Sequence, residues 1–213
     1  MSRSRTRQVA LLLTLGAVGG ASVGLVAHVA FGEGEQRSPG LPALHGQASW
    51  AAGKRAAPRF RLRDQNGAVV SLAGLRGETL LVTFLDSKCL EQCPLTGRQL
   101  GTVLRRMDAG DRPALVIVSV DPADDTPASI RQAMADWRLA GPWRWHWLRG
   151  TRAALARVWA AYGVVVQPAT NDITHGLPLY LVDRQGFQRT GYLFPFLPNF
   201  VALDLRTLAK ERA

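Results

Sequence analysis

Cysteine is nearly missing from this chain. Only two occur in 213 residues, which excludes a scaffold stapled by several disulfides and leaves a buried core to supply stability. Histidine is scarce as well, at four residues, and no low-complexity block or internal repeat is present. Acidic residues are in deficit, 16 against 26 Lys and Arg, for a formal net charge of +10. Such an excess raises nucleic acid as a partner. The arginines are dispersed and no nucleic-acid motif appears, so that class is excluded, and anionic lipid or an acidic protein patch fits the charge better. A content of 47% hydrophobic and 20% charged residues is that of a globular chain, with length for one domain of ordinary size.

What is present begins with MSRSRTRQ, followed by an uncharged run from Val9 to Phe31 long enough to cross a bilayer as a helix. Arg3, Arg5 and Arg7 precede the run while Glu33 and Glu35 follow it, a bias that keeps the N-terminus cytoplasmic and exports the rest. The expected organisation is a cytoplasmic N-terminus over 1–7, a retained transmembrane anchor over 8–31, a flexible linker over 32–57 and a folded domain over 58–213. A cleaved signal peptide would show a shorter apolar region; Ala27 to Ala30 offers only a weak cleavage site. In a bacterium this places a single-pass protein in the inner membrane, its C-terminal domain in the periplasm or outside. The linker is rich in Gly, Pro, Ala and Ser and lacks apolar periodicity.

Beyond the linker, two alternating apolar segments, Phe60 to Asp64 and Ala68 to Leu72, flank Gln65-Asn66-Gly67 and predict a β-hairpin. Thr79 to Leu85 and Ala114 to Val120 are nearly continuous apolar runs, suited to buried central strands. Between and after them, Leu100, Val103, Leu104 and Met107, then Ile130, Ala133, Met134 and Trp137, each fall on one helical stripe. Thr151 caps a third helix carrying Leu155, Val158, Trp159 and Tyr162. A strand pair, Leu177 to Val182 and Phe187 to Leu193, surrounds Asp183-Arg184-Gln185-Gly186, and Asn199 to Lys210 closes the chain as a helix. This order predicts an α/β fold with a mixed central sheet, thioredoxin-like, with the cysteines in the turn after a central strand.

The cysteines stand in Phe84-Leu-Asp-Ser-Lys-Cys89-Leu-Glu-Gln-Cys93-Pro94-Leu. Pro94 suits the first turn of a helix, so both sulfurs lie at or just before a helix N-terminus, where both should ionise readily. Residues four apart on a helical turn have Cα atoms roughly 6 Å apart, within disulfide range. The same geometry offers two thiolates to one metal, and leaves a redox dithiol, a soft-metal site and a plain local disulfide all open.

A third ligand separates these readings. His28 lies in the anchor, His45 in the linker, and His146 alternates with tryptophans in Trp143-Arg144-Trp145-His146-Trp147. His175 lies in a loop just before the strand Leu177 to Val182, which in this fold faces the cysteine turn. Two thiolates and an imidazole suit Cu(I) and accept Cu(II), whereas structural zinc wants a fourth ligand that the sequence does not supply.

The C-x-x-x-C-P segment, Asp121-Pro-Ala-Asp-Asp125-Thr-Pro127, Val158-Trp-Ala-Ala-Tyr-Gly-Val164, and His175 ahead of Tyr180-Leu-Val-Asp-Arg-Gln-Gly186 resemble the SCO/SenC family over about Arg59 to Leu208. Members are membrane-tethered, thioredoxin-like copper proteins that serve assembly of the dinuclear copper centre of cytochrome c oxidase. The resemblance implies copper as the bound metal, Cys89, Cys93 and His175 as its ligands, Asp125 as an acidic residue near the site, and the copper-bearing oxidase subunit as partner. Bland roles stand beside these, since Asp125 or Thr126 would also cap the next helix.

Departures from the family pattern bear on chemistry. Asp86-Ser87-Lys88 and Leu90 replace the usual neighbours of the first cysteine, putting a cation and an anion beside the thiolate. Pro178 occupies the place of the cis-proline that thioredoxins set against their cysteines, so a cis Leu177–Pro178 bond is expected and thiol-disulfide exchange gains weight. The first functional reading is therefore a copper carrier without turnover; the alternative is an exported thiol-disulfide oxidoreductase acting on partner cysteines, with Cys89 and Cys93 as catalytic dithiol. A peroxiredoxin-type peroxidase is disfavoured because Asp86, and not Thr or Ser, stands three residues before Cys89.

Overall fold

The two uninterrupted apolar runs become the centre of the sheet. In the computed structural model, which describes residues 44–169 and 172–211, β4 (Leu80–Leu85) and β5 (Ala114–Ser119) are buried at every position and pair in parallel, Leu80 opposite Ala114 and Leu85 opposite Ser119. Strands covered on both faces need no polar alternation, which is why these read as continuous. The six-stranded sheet has the order β1 (Ala48–Ser49), β10 (Gln188–Leu193), β9 (Pro178–Val182), β4, β5, β6 (Trp145–Leu148). β5 and β6 are parallel, whereas β9 and β10 run antiparallel to their neighbours. The predicted hairpin forms as β2 (Arg61–Arg63) and β3 (Val69–Ser71), with Gly67 at φ 83° in the turn.

Alternate side chains of β4 feed two apolar clusters. Leu81 and Leu85 point toward α1 (Gln92–Arg105), α2 (Pro127–Asp136) and α4 (Pro198–Lys210), meeting Leu100, Leu104, Ile130, Met134 and Leu205. Val82 and Phe84 point to the other face, where α3 (Arg152–Ala161) and the β2–β3 hairpin supply Leu155, Trp159, Phe60 and Leu62. Each fully buried aliphatic or aromatic side chain stabilises by about 1.5–3 kcal/mol relative to exposure. Helix starts follow their caps. Thr126 and Ser129 form a reciprocal capping box on α2, and the Thr151 hydroxyl accepts from Ala154 N on α3. Gly97 of α1 is required by packing, because a Cβ there would lie 2.8 Å from Trp137.

Both sheet margins are blunted, one by the two-residue exposed edge strand β1. At one, β1 pairs with β10, and the Gln47 side chain accepts the Leu193 N–H at 3.2 Å. At the other, the Gln65 side chain accepts the Trp147 N–H at 2.8 Å, next to mutual backbone bonds between Arg63 and Arg149. The linker expected over 32–57 is thus folded from residue 44 onward. His45 stacks on Phe200 with ring centroids 4.8 Å apart, and its backbone N–H and Nδ1 reach the Asp204 carboxylate. Compositional bias toward small residues hid this, since two exposed strand residues carry no pattern. The rest of that linker and the anchor expected over 8–31 lie outside the described residues. Among the described residues no helix is long and apolar enough to cross a membrane.

A further hairpin, β7 (Val166–Ala169) with β8 (Asp172–His175), stands apart from the main sheet. His175 therefore ends a strand, not a loop. β4 starts opposite Val182 at Leu80 and proceeds past Leu179 at Thr83 toward the cysteine turn. The segment bearing His175 and Leu177 consequently meets that turn at one pole of the sheet, and the 183–187 turn occupies the other.

Candidate metal centre

After Leu85 the chain leaves β4 through a loop held by two aspartates. Asp86 Oδ1 accepts from Lys88 N at 2.7 Å, and Asp86 O accepts from Cys89 N at 3.3 Å. Asp125, fully buried, accepts from Ser87 N at 2.8 Å and from the Trp147 indole N–H at 3.1 Å. Ser87 and Ser129 hydroxyls meet at 2.9 Å, strapping the same loop to the start of α2. Asp125 accordingly does not line the site; it acts by fixing the backbone that leads to Cys89. Thr126, and not Asp125, is the helix cap.

α1 begins at Gln92, so Cys93 sits in its first turn and Cys89 two residues before the cap Glu91. Cys93 is fully buried, Cys89 half-buried, and both are free thiols. Cys93 N donates to Cys89 Sγ at 3.4 Å. His175 Nε2 lies 3.8 Å from Cys93 Sγ, and Nδ1 lies 2.9 Å from the Gly176 carbonyl. A carbonyl only accepts, so in the neutral ring Nδ1 carries the proton and Nε2 presents its lone pair toward the sulfur. A backbone partner of this kind fixes tautomer and ring orientation in metal-binding histidines.

The two sulfurs are unequal, contrary to the expectation that both ionise readily. A hydrogen bond from the Cys93 thiol, reinforced by backbone N–H groups of Cys93, Glu91 and Gln92, lowers Cys89 to about 6 against the opposing effect of burial. Cys93 moves upward, because it donates that hydrogen bond and because it is buried. Burial also raises Asp86 to about 7 despite the Lys88 N–H, with Asp125 and Asp121 adding repulsion, and raises Asp125. The helix N-terminus thus supports one thiolate, at the exposed end of the pair.

Cys89, Cys93 and His175 line one cavity of about 200 Å³ together with Glu91, Gln92, Thr174 and Leu177. Among the described residues no three His, Cys, Asp or Glu side chains are already closed into a metal cage; the trio surrounds open space instead. Soft sulfur and borderline imidazole donors fit copper; a four-coordinate zinc would have to take its fourth ligand from Glu91, the carboxylate on the same cavity. Pro178 is absent from this cavity, and the Leu177–Pro178 bond is trans; the cis bond among the described residues is Phe194–Pro195. The cause is the sheet. Leu177 O accepts from Phe194 N, Pro178 opposes Leu193, and Thr83 Oγ1 donates to Pro178 O, so the chain enters β9 already extended. Leu177 and Gln92 were not anticipated as lining residues, although their places beside Pro178 and Cys93 were the available signal.

A thioredoxin-like α/β fold sets a C-x-x-x-C pair and a histidine around one cavity, donors whose chemistry suits thiol exchange or a soft metal. The SCO1/SenC family model matches residues 49–210, and the chain belongs to that family. The bovine mitochondrial SCO2 homolog is 29% identical over 195 residues, covering 85% of this chain and 67% of that protein. Bradyrhizobium japonicum ScoI, solved with copper bound, is 30% identical with a TM-score of 0.62, covering 72% of this chain and 99% of that one. BsSco, described as having a disulfide switch and as a member of the Sco family of cytochrome c oxidase assembly proteins, shares the fold at 20% identity. Its TM-score is 0.66, with 78% of this chain and all of that chain covered (100%).

Proposed function

We propose that this chain is a membrane-tethered copper carrier that delivers copper to the dinuclear copper centre of cytochrome c oxidase during assembly. Copper is its cargo, and Cys89, Cys93 and His175 are the ligands. The observation that carries the reading is the gathering of two sulfurs and an imidazole, its Nδ1–H held by Gly176 O, on one cavity. Copper in the related ScoI supports the choice of metal. Cys89 is the more exposed sulfur and carries the lower pKa, so ligand exchange with an acceptor's thiolates starts there. The apolar run over 8–31 holds the domain at the inner membrane, facing the periplasm. Anaerobic Cu(I) titration of the reduced full chain tests the proposal: one copper per chain, weakened in His175→Ala, is expected, and indifference to copper would sink it.

Thiol-disulfide exchange remains the second reading. It is favoured by the unequal thiols, an ionisable Cys89 to attack and a protonated, buried Cys93 to resolve. Retained disulfide reductase activity in a chain that ignores copper would select it.

A further inference from the structure

At the pole of the sheet opposite the cysteines, a cavity of about 610 Å³ opens between the β2–β3 hairpin and the 183–187 turn. Its apolar lining includes Phe60, Leu72 and Phe187, while Arg59, Arg61 and Arg76 stand around it, exposed. No carboxylate lines this cavity. Arg189 pairs with Asp183 and Glu211 and Arg144 with Glu78, while several exposed arginines have no such partner; Arg59, Arg61 and Arg76 are set apart by sharing one cavity. Among the described residues, the guanidinium groups of Arg59, Arg61 and Arg76 have no ion pair or hydrogen bond.

Three guanidiniums stand around one apolar cavity that no carboxylate lines. They match a ligand with a phosphate at one end and carbon at the other. We infer that this cavity binds the headgroup of an anionic phospholipid, the phosphate held by the arginines and the glycerol carbons resting on Phe60 and Phe187. The choice of lipid over free phosphate rests on the membrane tether proposed above; the anion site itself does not. Occupied in this way, the cavity turns the cysteine pole away from the bilayer.

The test uses the full-length chain in a neutral maltoside detergent, titrated calorimetrically with three probes. These are monomeric dihexanoyl phosphatidylglycerol, dihexanoyl phosphatidylcholine and inorganic phosphate. Saturable binding of phosphatidylglycerol is expected, with phosphatidylcholine and phosphate at least tenfold weaker. Replacing Arg59, Arg61 and Arg76 together by Gln should weaken phosphatidylglycerol on the order of a hundredfold, at about a factor of five per arginine beside an anionic surface. A charge-matched control, Arg98→Gln/Arg131→Gln/Arg157→Gln, changes exposed arginines elsewhere and should bind as wild type. Equal loss in the control would reduce the effect to net charge and overturn the site. Phosphate binding as tightly as phosphatidylglycerol would overturn the lipid assignment, and undiminished binding by the cavity variant would overturn the proposal. Copper titration of the same samples reports separately on the carrier function.

Discussion

His175 Nε2 lies 3.8 Å from Cys93 Sγ although the two residues are 82 positions apart in sequence. The contact joins the end of β8 to the first turn of α1 and puts a borderline donor beside two soft ones. Cys89→Ser or Cys93→Ser should cost Cu(I) affinity more than the roughly 10–100-fold typical of losing an outer-sphere partner. His175→Ala should keep weaker Cu(I) binding through both sulfurs and lose Cu(II) more severely. Competition against a Cu(I) chelator checks this ordering; equal Cu(I) affinity in the reduced and disulfide forms would defeat the site.

In copper-free reduced protein, alkylation of Cys89 should rise with pH to a midpoint near 6, while buried Cys93 stays unmodified in the native state. The thiolate reacts, so the rate grows as the proton leaves. Cys93→Ala removes the thiol that donates to Cys89 Sγ and should move the midpoint upward. Iodoacetamide kinetics read by mass spectrometry distinguish the two cysteines.

Asp86 sits at about 7 in the folded protein against an ordinary 3.8. A carboxyl raised in this way favours the fold fully below the unfolded value and loses that contribution as pH climbs to the folded one. Asp86→Asn keeps an acceptor for Lys88 N but cannot ionise. The variant should match wild type below about pH 4 and melt higher at pH 8, by ~2–4 °C for each kcal/mol at this size. Cys89 and Asp125 interact with Asp86, so the difference between the two Tm profiles reports Asp86 together with its coupling to them. A constant gap across the range would refute the assignment.

Asp125→Ala strands two donors, Ser87 N and the Trp147 indole N–H. Each buried unsatisfied group costs about 1–3 kcal/mol, so the domain should lose ~2–6 kcal/mol in urea denaturation. Asp125→Asn, which retains one acceptor oxygen, should lose less. Copper stoichiometry should survive in Asp125→Asn if the residue acts only through the loop backbone.

Much of this site could be read from the chain because its parts are local or fixed by topology. The run into Phe84 had to be a central strand, Pro94 had to open a helix, and a residue just before the strand facing them had to come near. Three features escaped. The β7–β8 hairpin was not expected, and it carries Pro168, a residue that sheets accept only on edge strands such as those of a separate two-stranded hairpin. The inequality of Cys89 and Cys93 depends on burial, which spacing alone does not report. Pro178 carried the right residue at the right place for a cis bond, yet the register of β9 on β10 extends the chain there.

Gln47 and Gln65 each plug one side of the sheet with a side-chain oxygen, at Leu193 N and Trp147 N. An open strand row invites another polypeptide to zip onto it, whether a second copy or an unfolded neighbour. With one N–H capped near each margin and only two residues in the edge strand β1, the sheet offers little free backbone for chain-to-chain stacking. A visiting protein must then engage loops and side chains, which leaves the turn around exposed Leu90, beside Cys89, as the natural handle.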